Sequence, residues 1–190
     1  MTPFEFVTVA LSLVLVLALA LVLSSALAVF RARRDVRIDW LPVVWAVYIF
    51  VSQIQYWWGI FGLSSLDDIS GLMFGLMLLR PILLFLAGGL VLPSNPHRFR
   101  GDLREYFEKD GRWGVLAYAM YWLVVPFSTR IGYEVAFASL QSISAIVLLA
   151  LALWAFAVRR TRTVVTILFG VALTVSTLAA SQELKGVLGL

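Results

Sequence analysis

Residues 4–30 carry a single charge, Glu5, in an otherwise apolar run. At ~1.5 Å per residue, a helix of that length outreaches the ~30 Å hydrocarbon core of a bilayer. Further apolar runs follow at 40–63, 66–92, 113–128, 132–158 and 163–182. A backbone in hydrocarbon must satisfy its own polar groups, so such runs read as transmembrane helices. The sequence therefore predicts an all-α polytopic membrane protein: one domain over 1–190 with six transmembrane helices. Only 14% of residues are charged, against ~25% in soluble domains.

Local punctuation fits these limits. Asp39 is placed to cap the second helix, with Pro42 in its first turn. Ser65-Leu66-Asp67-Asp68 has the form of a capping box for the third. Pro93-Ser94-Asn95-Pro96 stops the third helix, and Pro126 falls where the fourth is expected to end. Ala26-Leu27-Ala28 has the small-x-small form of a signal-cleavage site. The run before it is too long, however, lacks a basic start, and is followed by Arg31, Arg33, Arg34 and Arg37 as a stop-transfer pattern.

The basic residues orient the chain. Segments 31–39, 93–112 and 159–162 hold 12 of the 15 lysines and arginines. By the positive-inside rule these three segments are cytoplasmic, so both termini lie outside. The short fourth run is kept as a span because without it the basic 159–162 segment would move outside. Within 93–112, Phe99, Leu103, Tyr106 and Phe107 share one helical face opposite mixed charges. That pattern predicts a short amphipathic helix on the cytoplasmic surface. Its mixed charges suit a protein contact or a connector better than attraction to lipid.

Several chemistries are excluded. There is no cysteine, and the one histidine, His97, lies in a polar loop. No zinc site, bis-histidine haem or thiol chemistry is expected. The net charge of +4 is explained by loop arginines that set topology, so no nucleic-acid partner is expected. Sequence signatures of metalloproteases, P-loop and dinucleotide enzymes, serine hydrolases and intramembrane aspartyl proteases are missing. The protein is therefore not expected to be an enzyme, and no cofactor is specified.

Arg80 is the outlier. A charge deep in a span costs at least ~2.5 kcal/mol on insertion scales and by default marks a function or a buried partner. Pro81 follows it and frees a backbone carbonyl one turn earlier. Counting along the expected spans puts Gln53 and Gln141 at the same depth, with Gln55, Tyr56, Ser142 and Tyr121 in the same half of the membrane. The candidate ligand-binding set is Arg80, Gln53, Gln141, Gln55, Tyr56, Trp57 and Glu134, with Glu134 about one turn inside the fifth span. Two readings stand beside each other. Either this layer binds or passes a small molecule, lipid or ion, or it braces Arg80 within an accessory or assembly subunit of a larger membrane complex. Trp40, Trp57, Trp58, Trp113, Trp122 and Trp154 suit an interfacial belt. Gly71 with Gly75, Ala20-Ser24-Ala28, and Gly170 with Thr174 suit close helix packing, within the chain, in a homo-oligomer or in a larger complex.

Residues 30–115 contain Arg31-x-Arg33-Arg34, Trp40-Leu41-Pro42, Gln53-x-Gln55-Tyr56-Trp57-Trp58-Gly59, Leu92-Pro93 and Arg112-Trp113. This stretch resembles a group of small polytopic bacterial inner-membrane proteins. The resemblance implies integration in the bacterial inner membrane, with membrane lipids as partners, and carries no activity.

Overall fold

A computed structural model describes residues 3–60, 70–96, 102–133 and 139–188. Its elements are helical: α1 (Pro3–Arg31), α2 (Trp40–Ile60), α3 (Gly71–Val91), α4 (Leu103–Tyr106), a π-helical turn (Phe107–Gly111), α5 (Arg112–Tyr133), α6 (Leu140–Ala157) and α7 (Arg162–Leu188). Four of them, over Glu5–Arg31, Gly71–Val91, Leu140–Ala157 and Arg162–Ala179, are long and apolar enough to cross a membrane. The long helices outside that set, α2 and α5, carry the polar and aromatic residues of the candidate site, such as Gln53, Gln55, Tyr118 and Tyr121.

α1, α3, α5, α6 and α7 pack in a row, each against the next. α2 lies over the row, touching α1, α3 and α7. Small residues let these helices approach. A Cβ at Gly114 of α5 would stand 2.8 Å from both the Ala87 carbonyl oxygen and the Val91 nitrogen of α3. A Cβ at Gly88 would collide with Val22 of α1, and one at Gly170 with the Tyr48 hydroxyl. Gly71 and Gly75 behave differently, since among the described residues nothing lies within 4 Å of a Cβ built at either. The Ala20-Ser24-Ala28 stripe also turns away from the packed row, with Ala20 and Ser24 exposed.

The helix starts follow local chemistry. Asp39 Oδ1 accepts the Leu41 amide at 2.8 Å, as expected for α2. The start of α3 differs from expectation: it begins at Gly71, where Ser70 Oγ accepts the Met73 amide at 3.2 Å. The Ser65–Asp68 box lies outside the described residues. α5 also differs, because it runs through Pro126 to Tyr133. Proline removes one hydrogen bond but leaves the packing of the helix face intact, and the contacts of α5 with α3 and α6 offset that loss. α6 starts correspondingly late, at Leu140, with Ser139 as its cap.

The expected surface helix is α4 and its π-helical turn. Leu103, Tyr106 and Phe107 are buried, so its apolar face packs on the protein's own bundle. The element runs without a break into α5 rather than lying apart. Asp102 caps it through the Arg104 amide at 2.9 Å, and the Leu103 amide donates to the Arg37 carbonyl at 3.0 Å. Arg104 pairs with Asp39 at 3.4 Å. The Tyr106 hydroxyl donates to the Leu90 carbonyl at 2.9 Å. Burial, with the Asp110 charge beside it, pushes that phenol up to about 12, so it stays a donor at neutral pH.

Candidate functional site

Arg80 lies nine residues past Gly71, or ~14 Å along α3. Its side chain is half-buried. One guanidinium nitrogen donates to the Tyr121 hydroxyl at 3.2 Å, and the other terminal nitrogen reaches Ser128 Oγ at 3.5 Å. Its central carbon stands 4.8 Å from the Tyr56 ring centroid and 5.2 Å from that of Tyr121. Two aromatic faces from two other helices thus flank one cation. Each such contact is worth about 0.5–2 kcal/mol, more where water is excluded.

Pro81 explains part of this arrangement. Having no amide hydrogen, it cannot bond the Met77 carbonyl one turn earlier. The Tyr56 hydroxyl donates to that carbonyl instead, at 2.7 Å. The proline thereby creates an acceptor, the acceptor positions Tyr56, and the Tyr56 ring flanks Arg80. A double-mutant cycle tests the coupling. Tyr56→Phe should cost about 1 kcal/mol in the native chain. In a Pro81→Ala background the restored amide can take the Met77 carbonyl, and the same change should cost close to nothing. Equal costs in both backgrounds, by thermal unfolding in detergent, would remove the proline from this account.

The expected residues do not all meet Arg80. Tyr56 does. Gln53 is fully buried, but its amide nitrogen faces the Leu84 carbonyl at 3.5 Å, a turn further along α3. The Gln53 carbonyl oxygen is buried without a hydrogen-bond partner among the described residues. Gln55 faces α7 and donates to Thr177 Oγ1. Gln141 is exposed in the first turn of α6, not at mid-helix depth, because α6 begins eight residues later than expected. Ser142 stays at that helix start, bonded to Ser139. Trp57 and Trp58 are about half exposed, and Glu134 lies outside the described residues.

Other residues join the layer unannounced. Ser128 follows Tyr121 by seven positions and so shares its helical face. That spacing is visible in the sequence, but Ser128 is the last residue of the expected 113–128 span and is not counted into the layer. Ser52 of α2 and Tyr118 of α5 share a 2.5 Å hydrogen bond, and the Tyr118 hydroxyl also lies 3.2 Å from the Tyr48 carbonyl. Trp45 Nε1 donates to Thr166 Oγ1, and the Tyr48 hydroxyl to the Thr166 carbonyl, both at 3.1 Å. Tyr118 stacks on Tyr121 at 5.9 Å and meets Trp122 edge-on at the same distance. Trp122, expected at an interfacial belt, is 5% exposed and belongs to this interior cluster.

The site offers a cation, tyrosine hydroxyls and aromatic faces. That set can hold an anionic or carbonyl oxygen by charge-assisted hydrogen bonds and flank an apolar body with rings. No protein-family model, curated protein or solved structure matches this chain, so the reading rests on the residues themselves.

Proposed function

We propose that this chain is an integral membrane protein whose six long helices all cross the bilayer, with 31–39, 93–112 and 159–162 cytoplasmic and both ends of the sequence outside. Support for six spans comes from α2 and α5, which turn their polar side chains onto other helices rather than outward. The basic segments support the orientation. We further propose that the protein is a non-catalytic binding or transport protein. Its ligand is a small lipophilic molecule with a carboxylate, phosphate or quinone-type carbonyl that docks on Arg80. One observation carries this reading: a permanently charged guanidinium ~14 Å into an apolar helix is oriented by groups from two other helices and remains partly exposed. The guanidinium makes its hydroxyl contacts to Tyr121 and Ser128 at 3.2 and 3.5 Å while remaining partly exposed.

The test uses the purified chain with two probes, decanoate and a short-chain benzoquinone. At least one should raise the unfolding temperature of the native protein and of Arg80→Lys, and neither should stabilise a folded Arg80→Gln. If neither probe shifts the native protein and Arg80→Gln is merely less stable, Arg80 is a brace.

The outward Ala20-Ser24-Ala28 stripe favours a second reading, an accessory subunit whose partner helix packs on α1. A photo-crosslinker at Ser24 in native membranes should then capture another protein. Capture of lipid alone would remove that reading.

A further inference from the structure

An apolar groove lies between α1 and α2, apart from the Arg80 site. It has a volume of about 340 Å³, and every residue lining it is apolar. α1 contributes Val22 to Phe30, α2 contributes Val43 to Phe50, and Ile38 and Leu92 close one end. From Val22 to Phe30 the groove follows ~12 Å of helix, close to the ~15 Å depth of one leaflet's hydrocarbon. It arises because α1 packs chiefly on α3 through Gly88 and Gly89, leaving its flank short of α2.

The closed end leads to the 31–39 segment. Arg31, Arg33, Arg34 and Arg37 are all exposed there. Arg33 holds its guanidinium 4.3 Å from the ring centroid of Phe30, a groove residue, and donates to the Phe30 carbonyl at 3.0 Å. The acids nearby are fewer: Asp35, Asp39, which is engaged by Arg104, and Asp102, whose backbone pairs with Arg37 and whose side chain caps α4. An apolar slot of leaflet length thus ends under a cluster of cations.

We infer that this groove is a binding site for one anionic phospholipid of the cytoplasmic leaflet. An acyl chain lies along α1 and α2, and the phosphate is held by the arginines of the 31–39 segment. The inference rests on the membrane reading and orientation above, but not on the Arg80 site. Charge complementarity selects the occupant. A zwitterionic lipid could fill the slot, but its headgroup would present no net charge to four exposed arginines.

The full-length protein, delipidated in detergent, would be mixed with phosphatidylglycerol and phosphatidylcholine of identical chains and weighed intact by native mass spectrometry. Phosphatidylglycerol should be retained at least about tenfold better, and each neutralised arginine should cost about fivefold of that preference. The relevant variants are Arg33→Gln and Arg34→Gln. Ala26→Phe fills the groove from its exposed side and should abolish tight binding without changing the unfolding temperature. Val47→Phe, also an exposed lining residue, serves if Ala26→Phe does not fold. Equal retention of the two lipids, or unchanged binding when the groove is filled, would mean non-selective boundary lipid and overturn the proposal. Alkaline carbonate extraction separates the two failures. A chain released from membranes defeats the membrane reading, whereas one that stays embedded without lipid preference defeats this inference alone.

Discussion

Gly114→Ala lowers the stability of the bundle by about 3 kcal/mol, while Gly75→Ala raises it slightly. The two substitutions add the same methyl group to a helix glycine. At Gly114 the new carbon would stand 2.8 Å from the backbone of α3, at the Ala87 oxygen and the Val91 nitrogen. Backbone cannot rotate aside as a side chain can, so α3 and α5 must separate along their contact. That separation also moves Arg80 of α3 away from Tyr121 and Ser128 of α5. At Gly75 nothing described lies within 4 Å, and a helix gains about 0.5–1 kcal/mol when alanine replaces glycine. The unfolding temperatures of the two variants in one detergent decide the matter. A tolerated Gly114→Ala would mean that the α3–α5 crossing is not as close as described.

Glu108→Leu costs a similar amount, about 3 kcal/mol, through a charge left without its counter-ion. Glu108 sits in the π-helical turn and accepts a hydrogen bond from Arg162 at the start of α7, with Arg159 at 3.5 Å. Arg162 is 2% exposed. It also donates to the carbonyls of Ala155 at 2.6 Å and Phe156 at 3.2 Å, closing the end of α6. One buried cation therefore joins the α4 segment, α6 and α7. Removing the acid leaves that cation buried, which is the expensive case. Removing Arg162 as well should recover part of the loss, though not all, because the α6 carbonyls then lose their donor. Arg159→Ala should change little, since its side chain is 78% exposed and such pairs contribute below about 1 kcal/mol. If Glu108→Leu unfolds no earlier than Arg159→Ala, the account of Arg162 is wrong.

Much of the helix pattern is written in local sequence. The long helices follow the apolar runs, and Asp39 and the loop around Pro93 act where local sequence places them. Arg80 stands out because a charge in a 21-residue apolar helix has few bland explanations. Its surroundings are less legible. Depth counting is only as good as the helix ends. Starting α6 at Leu140 removes Gln141 from the layer, and carrying α5 on to Tyr133 sets Ser128 inside a helix rather than at its end. An error of a few residues in a boundary moves a side chain by a turn, enough to exchange one neighbour for another.

The sequence by itself determined that the chain is helical, that four of its long helices are apolar enough to cross a bilayer, and that one arginine stands inside one of these. Those properties come from residue type and short-range periodicity, which act within a single helix. Only the tertiary structure decided which faces meet. It placed Tyr56 on the carbonyl freed by Pro81, set Tyr121 and Ser128 beside Arg80, and buried Arg162 under the surface segment. Those contacts depend on the register between helices far apart in the chain. That register is set by how closely glycines such as Gly88 and Gly114 let two backbones approach, a property of pairs of helices that no single run of residues contains.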